Sequence, residues 1–554
     1  MGTQAKVQKI ESFFIHPETY RHYSLEIDGP VATLGLKIDE NNGLRSEDYE
    51  LKLNSYDMGV DLELHNAVER LRFEYPQVRT VVVTSRLARV FCAGANIRML
   101  ASSTHGFKVN FCKYTNETRC GIEEATRESG QVYIAALNGT ASGGGYELAL
   151  ACEKIYLIDD GNAAVSLPEV PLLGVLPGTG GLTRLVDKRM VRRDLADVFC
   201  TKAEGFRARD AVRMDLVDGS FSRSKWEDSI DEVARNTAES NPARTSAGIK
   251  LECIDPEKSS DGKTLRYRHV TCALNADVRT ATITIQGPTS NAPSDAAALL
   301  QAGADTWGMR AFRELEDALL RLRFNHPSIG MLMFRVEGDP QAILAHDKVL
   351  HDAQGSWFAD ELIWYRGRVL RRLDNMAKSM FAIIDEGSSF VGSLFEITLS
   401  CDRSYMLEDD DGEVHVELNK ASQELYPMST GISRLQCRFM GAPENVDTVL
   451  AVTGKIDGPQ AEDLGLVTMS LDDIDFEDEI RIAVEERVSL SPDALTGMEQ
   501  NLRFVGAENC ETKIYGRLTA WQNWIFQRPN AVGEKGALTL YGHPQRPSFK
   551  WDRT

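Results

Sequence analysis

The stretch Ala135-Ala136-Leu137-Asn138-Gly139-Thr140-Ala141-Ser142-Gly143-Gly144-Gly145-Tyr146-Glu147-Leu148-Ala149 decides how this chain is read. A short apolar run leads into three consecutive glycines, and an apolar-periodic helix opens on them. Without a Cβ the backbone can approach a ligand closely, and the free N–H groups of the first helical turn point out of the helix end. The helix dipole adds partial positive charge there. An N–H pair so placed can hold an oxygen that becomes negative during a reaction. Glu147 lies one turn into the helix, and its side chain leans back towards the same end.

About fifty residues upstream, after a strand and turn, stands Phe91-Cys92-Ala93-Gly94-Ala95-Asn96-Ile97-Arg98-Met99-Leu100. Downstream comes Ser166-Leu167-Pro168-Glu169-Val170-Pro171-Leu172-Leu173-Gly174-Val175-Leu176-Pro177-Gly178-Thr179-Gly180-Gly181. Glu169 sits among prolines and apolar residues, a setting that raises a carboxyl pKa by desolvation, and a second carboxylate nearby would raise it further. A pair whose pKa values are pushed apart can divide acid and base roles. The sequence does not settle which of Glu147 and Glu169 is acid and which is base, although the apolar flank favours Glu169 as the first base.

Taken together, the three segments resemble the enoyl-CoA hydratase/isomerase (crotonase) family, with its A-G-A-[DN] loop, G-G-G-x-E helix start and P-E-x-x-x-G…P-G-x-G-G segment. The resemblance implies an α/β fold built as a ββα spiral and a coenzyme A thioester as substrate. It implies that the N–H groups of Ala95 and Gly144 form an oxyanion hole, with Glu147 and Glu169 as catalytic carboxylates. Ala93, Gly94, Asn96 and Gly143 would then flank the bound substrate. Two further segments, Asn110 to Arg119 and Leu518 to Asn530, narrow the similarity to a ring-opening branch of the family, over nearly the whole chain. That branch implies hydrolytic opening of 2,3-epoxybenzoyl-CoA with two waters, giving 3,4-didehydroadipyl-CoA semialdehyde and formate, in aerobic benzoate breakdown. One carboxylate would activate water and the other protonate the epoxide oxygen. The rivals are an enoyl-CoA hydratase or isomerase acting on another acyl-CoA, and a non-catalytic CoA-ester-binding protein.

Cys112 falls where the acyl pocket would be walled. It reads either as a buried packing cysteine or as a catalytic or substrate-touching group. Trp521, Trp524 and Phe526 read as packing aromatics. The acidic run Glu408 to Glu413 has a metal loop's composition, but reads as a solvated hairpin. No metal, flavin or nicotinamide motif is visible, so no cofactor is expected beyond the CoA carried by the substrate.

The chain also repeats itself. Ala67-Val68-Glu69-Arg70-Leu71-Arg72-Phe73 returns as Ala318 to Phe324, Tyr146 to Cys152 as Phe395 to Cys401, and Pro177 to Leu185 as Pro427 to Leu435, at an offset of about 250. The second copy has Ser393 for Gly144, roughly Lys420 for Glu169, and no A-G-A segment near Ala342 to Ala345. The expected architecture is therefore two crotonase-like ββα-spiral domains in tandem, the second degenerate. A catalytic domain over 1–254 would be followed by a degenerate one over 263–492 and a helical C-terminal tail over 493–554. The inactive copy would cover a face that such units otherwise bury against neighbours, which points to a homodimer, the commonest symmetry.

The 554 residues carry a formal charge of −20, which argues against nucleic acid as partner. Ten cysteines without a C-x-x-C pair do not read as a disulfide or zinc framework. The polar start Met1-Gly2-Thr3-Gln4-Ala5-Lys6 has no signal-peptide or myristoylation pattern, and no run is apolar enough to span a membrane. A cytoplasmic location is the expectation.

Overall fold

The computed structural model describes residues 9–242, 244, 247–409, 411–506 and 508–554. The amino-terminal segment Met1 to Lys6 and Asp410 of the acidic run lie outside them. The chain divides into two compact units, one of Ser12–Cys253 and one of Ile254–Thr554 together with Lys9–Glu11.

In the first unit, the strands Tyr23–Asp28 and Val31–Leu36 form an antiparallel pair. Thr80–Ser85, Val132–Leu137, Lys154–Asp159 and Gly219–Ser222 extend it in parallel to six strands. Val81, Val82, Val83, Ile134 and Ala135 are buried, the continuous apolar character of parallel strands covered on both faces. A smaller four-stranded sheet runs Arg89–Cys92, Gly139–Ser142, Ala164–Ser166, Phe206–Arg207. Each turn of the chain thus contributes a strand to the large sheet and one to the small sheet before entering a helix. The result is a ββα spiral.

Helix Met58–Phe73, capped by Asp57, packs on helix His105–Arg127. Two buried ion pairs, Asp61–Arg119 and Arg72–Glu124 (both 2.9 Å), join them. Such pairs fix geometry more than they stabilise, because desolvation offsets much of the Coulomb gain.

The second unit holds one eight-stranded sheet. Within it, Val270–Asn275 and Thr280–Gln286 pair antiparallel, and Met331–Glu337, Ser379–Ile384, Arg403–Leu407 and Met469–Leu471 follow in parallel. The order and sense match the first unit. The small sheet does not: among the described residues its place is taken by isolated bridges such as Val391 with Glu417.

In the acidic run, Asp409 accepts the N–H groups of Asp411, Glu413 and Val414, folding a local turn. Past Ser491 the chain is helical over Pro492–Leu502, Cys510–Lys513, Thr519–Ile525 and Pro529–Val532. Trp521 and Trp524 are half-buried with rings 5.5 Å apart, a packing pair, while Phe526 is exposed. No helix of the described residues is long and apolar enough to cross a membrane.

Candidate active site

The small sheet gathers the three sequence motifs. Arg89–Cys92, Gly139–Ser142 and Ala164–Ser166 are adjacent parallel strands, and each motif leaves the carboxyl end of one of them. The Ala93–Asn96 loop follows the first, the glycine helix Gly144–Ala151 the second, and Glu169 the third. Carboxyl ends of neighbouring parallel strands are where α/β folds place their ligands.

Around the loop, Tyr56 N–H donates to the Gly94 carbonyl (3.0 Å) and the Tyr56 carbonyl accepts Asn96 N–H (2.8 Å). In this parallel bridge Ala95 faces Tyr56 without using its own amide, so Ala95 N–H points the other way. Gly94 packs so tightly on the helix start that an added Cβ would lie 2.8 Å from Gly144 N. The loop residue next to Ala95 thus lies against the Gly144 amide. Gly143 turns the chain at φ +53° and donates its N–H to Ser166 O (2.9 Å), locking helix start to third strand.

Asn96, by contrast, is spent on the loop itself. Its side chain caps helix Ile97–Ser102 through Met99 N–H (3.0 Å) and donates to Glu50 O (2.8 Å) and Ser55 Oγ (3.1 Å). Ala93 N–H donates to Leu53 O (3.1 Å).

The two carboxylates have opposite surroundings. Glu147 is 2% exposed, and its Oε1 accepts N–H groups from Thr179 (2.9 Å) and Gly181 (2.8 Å) while the Thr179 hydroxyl donates to Oε2. The Pro177-Gly178-Thr179-Gly180-Gly181 segment is therefore a cradle of donors for Glu147. Arg184 holds that cradle by donating to Thr179 O (3.1 Å) while paired with Glu123 (2.8 Å). Glu169 is also buried, but its Oε2 has no hydrogen-bond partner among the described residues. Its Oε1 lies against the glycine turn, where a Cβ on Gly143 would come within 2.7 Å.

Burial first, and then the charge of Glu147, pushes Glu169 from 4.5 up to about 7. Both the direction and its causes, desolvation and a second carboxylate nearby, are those expected from the sequence. Of the apolar flank, Leu167 is fully buried while Leu172 and Leu176 are each 65% exposed. Two carboxyl groups thus stand by the start of the glycine helix, one held by three donors and one with its pKa raised to about 7 and a buried, unpartnered oxygen.

Cys112 is half-buried on helix His105–Arg127, and its Sγ would lie 3.8 Å from a Cβ on Gly178, beside the Glu147 cradle. Burial, then the charge of Glu147, pushes the thiol up to about 11, so it stays protonated at neutral pH. A neutral thiol is a weak nucleophile. Cys112→Ser is expected to leave kcat within about threefold, a change of only about 0.7 kcal/mol in the barrier. A loss beyond about 100-fold in steady-state turnover would show chemistry at the thiol.

The repeat explains what the second unit does with the matching residues. Gly392 turns at φ +55° as Gly143 does, and Ser393 stands at the position of Gly144. Yet Ser393 N–H already donates to Asp347 Oδ2 (2.6 Å), and Ser393 Oγ to Asp347 Oδ1 (2.7 Å). Arg366 and Asn419 complete the shell around that carboxylate (both 3.1 Å). Glu396, matching Glu147, is held by Arg434 (3.3 Å) instead of backbone amides. An internal carboxylate thus occupies the amide that the first unit leaves open.

The profile of the enoyl-CoA hydratase/isomerase family matches residues 50–251. A benzoyl-CoA-dihydrodiol lyase of Aromatoleum evansii is 49% identical over 549 residues, covering 99% of this chain and 98% of that one. Among solved structures, an enoyl-CoA hydratase of Geobacillus kaustophilus is 32% identical, covering 40% of this chain and 75% of its own, with a TM-score of 0.35. One from Bacillus anthracis is 26% identical, over 39% and 76%, with a TM-score of 0.33. Identity of this level from end to end, on a chain whose motifs converge as described, means that the protein belongs to the crotonase (enoyl-CoA hydratase/isomerase) family of enzymes.

Proposed function

We propose that the first unit opens the ring of 2,3-epoxybenzoyl-CoA with two waters, yielding 3,4-didehydroadipyl-CoA semialdehyde and formate, as one step of aerobic benzoate breakdown in the cytoplasm. The observation that carries this reading is the Glu169 carboxyl packed against the Gly143 turn with its Oε2 lacking a hydrogen-bond partner among the described residues. The near-complete similarity to a benzoyl-CoA-dihydrodiol lyase supports a benzoyl-CoA derivative as the class of substrate.

The thioester oxygen sits between Ala95 N–H and Gly144 N–H. Because the carbonyl is conjugated with the ring, opening the epoxide moves negative charge onto that oxygen, and each donor lowers the barrier by roughly 2.7–4 kcal/mol. Glu169, near neutrality, takes a proton from the attacking water and returns it to the epoxide oxygen. Glu147, with both oxygens accepting hydrogen bonds, is held in place beside the glycine helix start as the second carboxyl of the site. Addition of the second water and cleavage of a ring carbon–carbon bond then release formate. The substrate's own CoA is the only group this chemistry calls on.

The second unit is, on this reading, a degenerate crotonase-like domain followed by a helical tail. It takes no CoA ester because Asp347 fills its amide site. The exposed apolar run Val170 to Leu176 favours association with a second copy, and a homodimer is the proposed assembly. Light scattering on the full chain is expected to give two chains per particle, and a trimer or hexamer of full chains would overturn that assignment.

Competition between substrates separates this reading from a general hydratase. Turnover of 2,3-epoxybenzoyl-CoA with little or none of crotonyl-CoA supports ring opening. The reverse preference would assign the site to an ordinary enoyl-CoA hydratase, and tight CoA-ester binding without turnover to a binding protein.

A further inference from the structure

Tyr56 plays no part in the chemistry so far, yet its side chain ends at the centre of the site. The ring is fully enclosed, at 3% exposure, between Phe111 (centroids 5.9 Å apart) and the Arg119 guanidinium, 5.4 Å from the ring centroid. Its hydroxyl oxygen occupies the space that a Cβ on Gly144 would need, so it lies against the residue whose amide serves the thioester oxygen. Its backbone brackets Ala95, the residue bearing the other amide.

That hydroxyl is buried with no hydrogen-bond partner among the described residues. Burial, opposed by Arg119 and reinforced by Asp61 and Glu147, pushes the phenol well above its ordinary range, so the proton is retained for donation. A buried donor without an acceptor destabilises the fold, and a phenylalanine of the same shape would remove that cost. An enclosed donor placed against the Cα of Gly144 therefore has its natural acceptor in an oxygen that arrives with the substrate.

We propose that the Tyr56 hydroxyl is a third donor to the substrate's thioester oxygen, beside the amides of Ala95 and Gly144. This rests on the assignment of the first unit as the CoA-ester site. It adds a side-chain donor to a pair of backbone amides, strengthening the hold on negative charge as it forms.

Tyr56→Phe tests it with two readouts. The carbonyl stretch of bound benzoyl-CoA, carrying carbon-13 at the thioester, reports donors directly. Wild-type protein is expected to shift it to lower frequency than in the free ester, and the variant to recover part of that shift. In turnover of 2,3-epoxybenzoyl-CoA, kcat should fall at least 10-fold with KM little changed, while the thermal midpoint is unchanged or higher. That split excludes a packing role, for which loss of the hydroxyl would leave turnover alone. An unchanged carbonyl frequency with kcat within twofold of wild type would overturn the proposal and leave the site assignment standing. No carbonyl shift even in wild-type protein would instead overturn the site assignment on which it rests.

Discussion

Glu169→Gln should lower kcat by at least about 100-fold, the lower range for losing a general acid–base group, while CoA-ester binding survives. It should also raise the thermal midpoint at pH 8. The folded-state pKa of Glu169 is raised from 4.5 to about 7, so the unfolded chain releases this proton first. The favourable contribution is complete below about 4.5 and is lost as pH rises towards 7; above 7 the protein carries a buried charge as a net cost. At about 1.4 kcal/mol per pKa unit that cost is bounded by about 3.5 kcal/mol, and the glutamine removes it. For a base that must be ionised, wild-type kcat/KM should fall as pH drops below about 7. The limb should vanish from whatever residual activity the variant retains. Near-normal turnover in Glu169→Gln would remove this residue from the mechanism, whatever the melting data show.

Gly144→Ala should cost about as much again. The added methyl would collide with the Tyr56 hydroxyl and ring, and neither can retreat, because Tyr56 is enclosed and its backbone is paired with the Ala95 loop. The helix start must move instead, carrying the amide away from the thioester oxygen. Loss of one such donor lowers kcat by about 100- to 1000-fold, and overpacking costs about 1–3 kcal/mol of stability. Steady-state turnover and thermal melting on the same preparation separate the two. A variant that melts lower but turns over normally would show that the Gly144 amide does not serve the reaction.

The sequence carried much of this site. Three glycines, Glu147 and the Ala95 loop are local patterns, legible because each needs only neighbours in the chain: a helix end, a missing Cβ, a turn. The constant offset of the repeat likewise announced a second unit, and its order and sense of strands follow the first. What stayed hidden is what depends on contacts across the fold. Pro177 to Gly181 was readable as a motif, but nothing local shows that the amides of Thr179 and Gly181 turn onto Glu147. Tyr56 precedes the first helix with no motif around it, and only the bridge to Ala95 brings it to the site. Glu169 is desolvated as its sequence setting implies, but that its carboxyl packs against the turn at Gly143 depends on a contact no local pattern announces. Asn96 shares the loop of Ala95, but its side chain is a helix cap. In the second copy the substitution Gly144 to Ser393 was visible, whereas the carboxylate that fills its amide, Asp347, lies 46 residues earlier in the chain.

Formate release tests the central claim most directly. Purified full-length protein is given 2,3-epoxybenzoyl-CoA, and formate and remaining thioester are measured over time in wild type and in Glu169→Gln. The account predicts one equivalent of formate per ester consumed by the wild type, with the rate lowered at least about 100-fold in the variant. Consumption of the ester without formate, or equal rates from the two proteins, would contradict it.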